Sequence, residues 1–134
     1  YTGSQPIAAL PFVAQLPRAM LSQPKGGALA VVGHIERLWT TSFDGGAGGP
    51  QIGAFEEMFQ RLFDGHPIGS AVEPLNMRYA SLASTFQGMQ QSMDFGQKFD
   101  PYQIIYSWTA SNDARGYALV GDPAVRLAAT LANG

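Results

Sequence analysis

The stretch Gly26-Gly27-Ala28-Leu29-Ala30-Val31-Val32-Gly33-His34 decides how the rest of the chain is read. From Ala28 to Gly33 it carries no polar side chain, and glycines stand at both ends. A strand with one wet face alternates polar and apolar residues. A run that is apolar on both faces therefore predicts a strand covered above and below, as in a parallel sheet between two layers of helices. Such a strand also needs a neighbour along each edge. Only one further strand is legible, Tyr117 to Val120. Gly121-Asp122-Pro123 halts it, with Asp122 expected to accept backbone amide hydrogen bonds and Pro123 unable to continue the ladder. Small sheets need three or more strands for independent stability, and two cannot cover a doubly apolar ribbon. The expectation is an incomplete sheet, the carboxyl-terminal half of a larger α/β domain, in a chain that starts at Tyr1 rather than Met.

Working outward, Phe12, Val13, Leu16, Met20 and Leu21 recur at helical spacing, with Pro17 kinking the run or restarting a helix in its first turn. Pro24-Lys25-Gly26-Gly27 stops it. On the other side of the strand, Asp44 to Pro50 holds four glycines and predicts a mobile loop. Ile52, Phe55, Phe59 and Leu62 then step by three and four residues towards Gly65, which predicts an amphipathic helix with a glycine stop. The ladder Ile68, Val72, Leu75, Tyr79, Leu82, Phe86, Met89, Met93 predicts one long helix with Pro74 near its start and its apolar face on a sheet. Asp94 to Gly116 mixes aromatics with turn residues, so a short helix or two and irregular chain are expected. Tyr1 to Pro11 reads as an extended lead-in, and Ala124 to Ala132 as a weakly apolar tail.

Composition narrows the class. Of 134 residues only 13% are charged and 46% are apolar, against about 25% charged in ordinary globular chains. Eight phenylalanines, five tyrosines and two tryptophans supply ample burial and exclude disorder as the dominant state. No stretch of 18 apolar residues predicts a membrane-spanning helix. The net charge is −2 and the eight basic residues are scattered singly, leaving no electrostatic footprint for nucleic acid or an anionic membrane. Neither partner is expected. With no cysteine there is no disulfide, no cysteine-ligated zinc and no thiol nucleophile in this chain, though compartment stays open.

Chemical motifs are sparse. His34 and His66 lie far apart with no HxxxH spacing, so no metal site is expected. The chain has no GxSxG elbow for a serine nucleophile, no Lys-Ser/Thr after the glycine-rich loop to cradle phosphate, and no GxGxxG after the strand; no cofactor is expected. The best positional argument belongs to Gly33 and His34, at the carboxyl end of the first strand, where open α/β sheets place their ligand crevices. His34 either faces such a crevice or caps the strand by local hydrogen bonds. Glu36 either presents a carboxylate to a cationic substrate group or is solvated beside Arg37. Trp39 forms either an aromatic wall or part of the packed interior.

Taken together, Gly26 to Trp39, the helical ladder through Asn76-Met77-Arg78-Tyr79, and Trp108 through Asn112-Asp113-Ala114-Arg115-Gly116-Tyr117-Ala118-Leu119-Val120-Gly121-Asp122-Pro123-Ala124-Val125-Arg126-Leu127 resemble the back half of the CHAT and gingipain-like branch of the caspase-fold cysteine peptidases, over most of residues 12 to 127. The resemblance implies a three-layer α/β/α caspase-like domain with a six-stranded, mostly parallel sheet, of which residues 1–134 are the C-terminal portion. Ala28 to Gly33 would be its fifth strand and Tyr117 to Val120 its last, antiparallel strand at one edge. The family's catalytic His and Cys end the third and fourth strands, before the matched region, so no residue here is expected to be catalytic. Gly33, His34, Glu36 and Trp39 are the expected walls of a substrate pocket.

The resemblance makes the chain the C-terminal part or small subunit of a cysteine peptidase, expected to be bacterial, with the N-terminal half of the same domain as its partner and a peptide or protein as substrate. A non-catalytic relative serving as an interaction scaffold is a second expectation. From the residues alone, a small ligand-binding α/β domain that completes its sheet by oligomerisation stays open.

Overall fold

The ribbon that anchors the sequence reading folds as strand β1, Ala30–His34, and pairs with β2, Tyr117–Gly121, in an antiparallel ladder. Val32 lies opposite Leu119 and His34 opposite Tyr117. The computed structural model describes residues 13–40, 43 and 51–128. The lead-in from Tyr1 to Pro11, the glycine-rich loop from Asp44 to Pro50 and the tail beyond residue 128 lie outside them.

β1 starts two residues later than the apolar run because the backbone of Ala28 is drawn to helix α1, Gln15–Leu21, where its amide donates to the Met20 carbonyl at 2.9 Å. Pro17 falls in the first turn of α1, where no intrahelical N–H is required of it. At its other end β1 runs on through His34, which the Tyr117 pairing holds in the ladder. Among the described residues the sheet has these two strands and no parallel pair, in place of the expected six-stranded, mostly parallel one. The β1 residues are half-buried and Gly33 is exposed, so the full cover expected on both faces is not reached among the described residues.

That cover comes from three helices. Helix α2, Gly53–Phe63, ends where the sequence places its stop. Gly65 takes φ +80, which lets its amide reach the Leu62 carbonyl at 3.1 Å and the His66 amide reach Arg61 at 2.9 Å, closing the last turn. The expected single helix from Ile68 is instead a short α3, Ile68–Ala71, followed after Val72 by α4, Glu73–Asp94. Pro74 explains the break: it has no N–H for the preceding turn, and its ring excludes the carbonyl that a continuous helix would place there. Pro74 sits in the first turn of the restarted helix. Met58, Leu62, Ala71 and Leu75 form the buried core, with Val32, Phe55, Ile68 and Tyr117 packed against it.

Asp94 to Gly116 is more regular than expected. Helix α5, Pro101–Ala114, is continuous, with Asp100 as its N-cap. The Asp100 carboxylate accepts the Tyr102 amide at 3.0 Å, and Pro101 occupies the first helical position, where its missing N–H costs no hydrogen bond. α5 packs most extensively on α4 and leaves Tyr102, Ile105 and Trp108 exposed. After β2 the Gly-Asp-Pro turn forms as expected, with Asp122 Oδ1 accepting the Ala124 amide at 2.9 Å. The residues that follow lie across the start of α3: the Ile68 amide donates to Val125 O at 2.8 Å and the Gly69 amide to Pro123 O at 2.9 Å. The Arg126 guanidinium donates to the Gly65 carbonyl. The whole is a mixed α/β arrangement, mostly helical.

Candidate functional site

The carboxyl end of β1 is where the sequence places its four candidates, and the structure separates them into one inward and three outward groups. Gly33 is exposed and borders an open apolar groove of about 340 Å³, whose walls include Val32, Phe55, Phe59 and Tyr117. Glu36 is exposed, and its carboxylate has no described hydrogen-bond partner. Trp39 is 56% exposed, so it does not belong to the packed interior.

His34 points inward. Its side chain is 6% exposed and lies between the backbone of Glu36 and the last turn of α5. Nε2 is 2.8 Å from the Asp113 carbonyl oxygen, which can only accept, so Nε2 carries a proton. Nδ1 is 2.8 Å from Glu36 O and 3.2 Å from the Glu36 amide nitrogen. A neutral ring accepts from that amide and a protonated ring donates to that carbonyl, so the imidazole holds Glu36 in either state. The Tyr117 ring stands nearly perpendicular to it, with centroids 5.0 Å apart. Gly116 makes this placement possible, because a Cβ there would run into the imidazole. The ladder gains one more bond beyond the strand, from the Ile35 amide to Gly116 O at 2.9 Å. Both ring nitrogens are thus engaged with backbone, and no described residue gives His34 a nucleophile to activate.

Asp113 is the residue the sequence reading missed. It lies in the last turn of α5 with 3% exposure; Oδ1 accepts the Trp39 backbone amide at 3.4 Å and lies 3.7 Å from His34 Nε2. Its Oδ2 is buried with no hydrogen-bond partner among the described residues. Tyr117 completes the cluster: burial, and then the negative charge of Asp113, push its phenol up to about 12, with the positive charge of Arg78 opposing. Asp113 stands 79 positions from His34, and no local spacing signals the pairing. The cue was chemical: an acid at the end of a helix whose dipole disfavours negative charge there.

Among the described residues no group of three or more His, Asp or Glu side chains could hold a metal ion. No described helix is long and apolar enough to cross a membrane.

A mostly helical α/β chain, with an open groove beside its first strand and no nucleophile–base pair among the described residues, is the class this geometry defines. Residues 11–128 match the family described as Peptidase family C25, and the chain belongs to that family of caspase-fold cysteine peptidases. No curated protein and no solved structure matches the chain. The family's relatives are cysteine endopeptidases, and this chain contains no cysteine.

Proposed function

We propose that this chain is the C-terminal part of a single caspase-like cysteine endopeptidase domain and forms one wall of its substrate cleft. The observation that carries the proposal is the second edge of β1. Within the described residues β2 is its only partner, and the apolar groove bordered by Gly33 lies open to solvent. In the proposed domain the N-terminal half supplies the strands that pair along that edge, completing a six-stranded, mostly parallel sheet between two helical layers. β1 is then the fifth strand and β2 the antiparallel edge strand. The preceding strands bring the Cys and His.

Catalysis there is attack of a cysteine thiolate on the carbonyl carbon of the scissile peptide bond. The amine leaves with a proton from the histidine, and water then hydrolyses the thioester. Gly33, Glu36 and Trp39 contribute the wall by position, and His34 contributes by holding it. Glu36 sets a preference for Arg or Lys beside the scissile bond, so Glu36→Gln lowers kcat/KM for such substrates relative to uncharged ones.

The test is hydrolysis of fluorogenic peptides by residues 1–134 alone and by the same residues joined to the roughly 150 that precede them, about the rest of one domain. The longer protein cleaves, the shorter does not, and alkylation of the upstream cysteine abolishes cleavage. A folded longer protein that cleaves nothing would make the domain a non-catalytic scaffold. A stable homo-oligomer of residues 1–134 with a closed sheet would instead support a small ligand-binding domain.

A further inference from the structure

We infer that Asp113, acting with His34, is the positioning residue for the segment Ile35–Thr40, which bears the proposed cleft-wall side chains Glu36 and Trp39. The inference rests on the proposed cleft for its functional consequence, but the tether itself stands on geometry alone.

Three ties fasten this segment to the end of α5 and the start of β2. The Ile35 amide donates to Gly116 O at 2.9 Å. The His34 imidazole bridges from the backbone of Glu36 to the Asp113 carbonyl. The Asp113 carboxylate receives the Trp39 amide. No regular secondary structure holds residues 35–40, so these ties are what fix the outward directions of Glu36 and Trp39.

The position of Asp113 opposes local preference in two ways. A carboxylate in the last turn of a helix meets the negative end of the helix dipole. It is also almost fully buried, with one oxygen unpartnered among the described residues, and an unmade hydrogen bond on a buried charged group is destabilising. A residue that breaks local rules in this way belongs to a site that needs it. What it does here is accept the one amide of the segment, that of Trp39, that reaches this side of α5.

The orphaned oxygen supplies the control. Because Oδ2 has no described donor, replacing it with the NH₂ of asparagine removes no hydrogen bond, and Oδ1 still accepts from Trp39. Asp113→Asn therefore keeps the tether and Asp113→Ala loses it.

The experiment is limited trypsin digestion of the purified protein, reading the Arg37–Leu38 bond inside the tethered segment against the Lys98–Phe99 bond outside it by mass spectrometry. Native-state nicking reports local opening when opening is fast relative to cleavage. The expected result is a roughly tenfold rise in the Arg37:Lys98 cleavage ratio for Asp113→Ala, the size of change produced by losing about 1.4 kcal/mol. Asp113→Asn should leave the ratio within about twofold, and His34→Ala should raise it as Asp113→Ala does. Equal acceleration at both bonds in Asp113→Ala would mean general destabilisation and would overturn the proposal, as would failure of Asn to preserve the ratio.

In the complete peptidase Asp113→Ala should raise KM for peptides with little change in kcat. If the complete protein cleaves no peptide, the cleft reading fails while the digestion ratio still decides the tether. A changed ratio with an unchanged KM would overturn the link between tether and cleft.

Discussion

The closed and open sides of the groove beside β1 differ in kind. On the closed side Leu75, one of its walls, is 3% exposed, and Ala71, in the same core, is fully covered. On the open side Phe59, another wall and on the same helix as buried Met58, is 50% exposed, and β2 is the one strand that pairs with β1 among the described residues. Burial thus follows the availability of a partner rather than the hydrophobicity of the residue. A stretch apolar on both faces states a requirement that the described residues meet in part.

Substitutions can break or sharpen that contrast. Leu75→Ala on the closed side should cost about 3 kcal/mol, the transfer term plus a cavity, read as a lowered midpoint in urea unfolding. Gly69→Ala should cost about 2 kcal/mol by forced displacement, because a Cβ there would lie 2.9 Å from Pro123 Cβ and 3.0 Å from its carbonyl oxygen. The same assay reads it, and a fully stable variant would show that the C-terminal stretch does not seal α3.

Tyr117 lies where the two sides meet, and its test is pH. Its phenol ionises at about 12, raised from 10.0, so the fold favours the neutral form. The resulting stability is intact below pH 10 and is lost as pH rises towards 12. Tyr117→Phe should lose less stability than wild type between pH 10 and 12, measured by urea midpoints at each pH. The smallest effect belongs to the open side. Phe59→Ala in residues 1–134 should change stability by about 0.5 kcal/mol, the range of surface substitutions. The same change in the complete domain should cost several times more if further strands cover the groove.

The sequence made the two strands legible because glycines bracket their short apolar runs, and α2 legible because its apolar steps of three and four end at Gly65. It understated α5. Tyr102, Ile104, Ile105, Tyr106 and Trp108 are residue types that favour strands, and they obscured the plain N-cap signal of Asp100-Pro101. It overstated the length of the next helix back, because an unbroken apolar ladder outweighed Pro74 although proline controls the backbone there. At the candidate site, His34 was singled out by its position at a strand end. The direction of its ring was not legible, since that depends on Gly116 leaving room and on Asp113 being brought beside it by the α4–α5 packing. Position in the chain picks out a strand end, whereas side-chain direction is a property of tertiary structure.

The clasp of Pro123 and Val125 over the first amides of α3 bears on the order in which this protein is built. Those two N–H groups precede their acceptors by 57 and 54 positions, so the acceptors leave the ribosome well after α3 does. Until the C-terminal stretch emerges, α3 has open donors at its start and the core around Ala71 lacks its seal. A nascent chain stopped just short of Pro123 would keep its central helices unsettled and its apolar surface accessible to chaperones. Synthesis of Pro123 to Val125 is then the event that commits the region around α3.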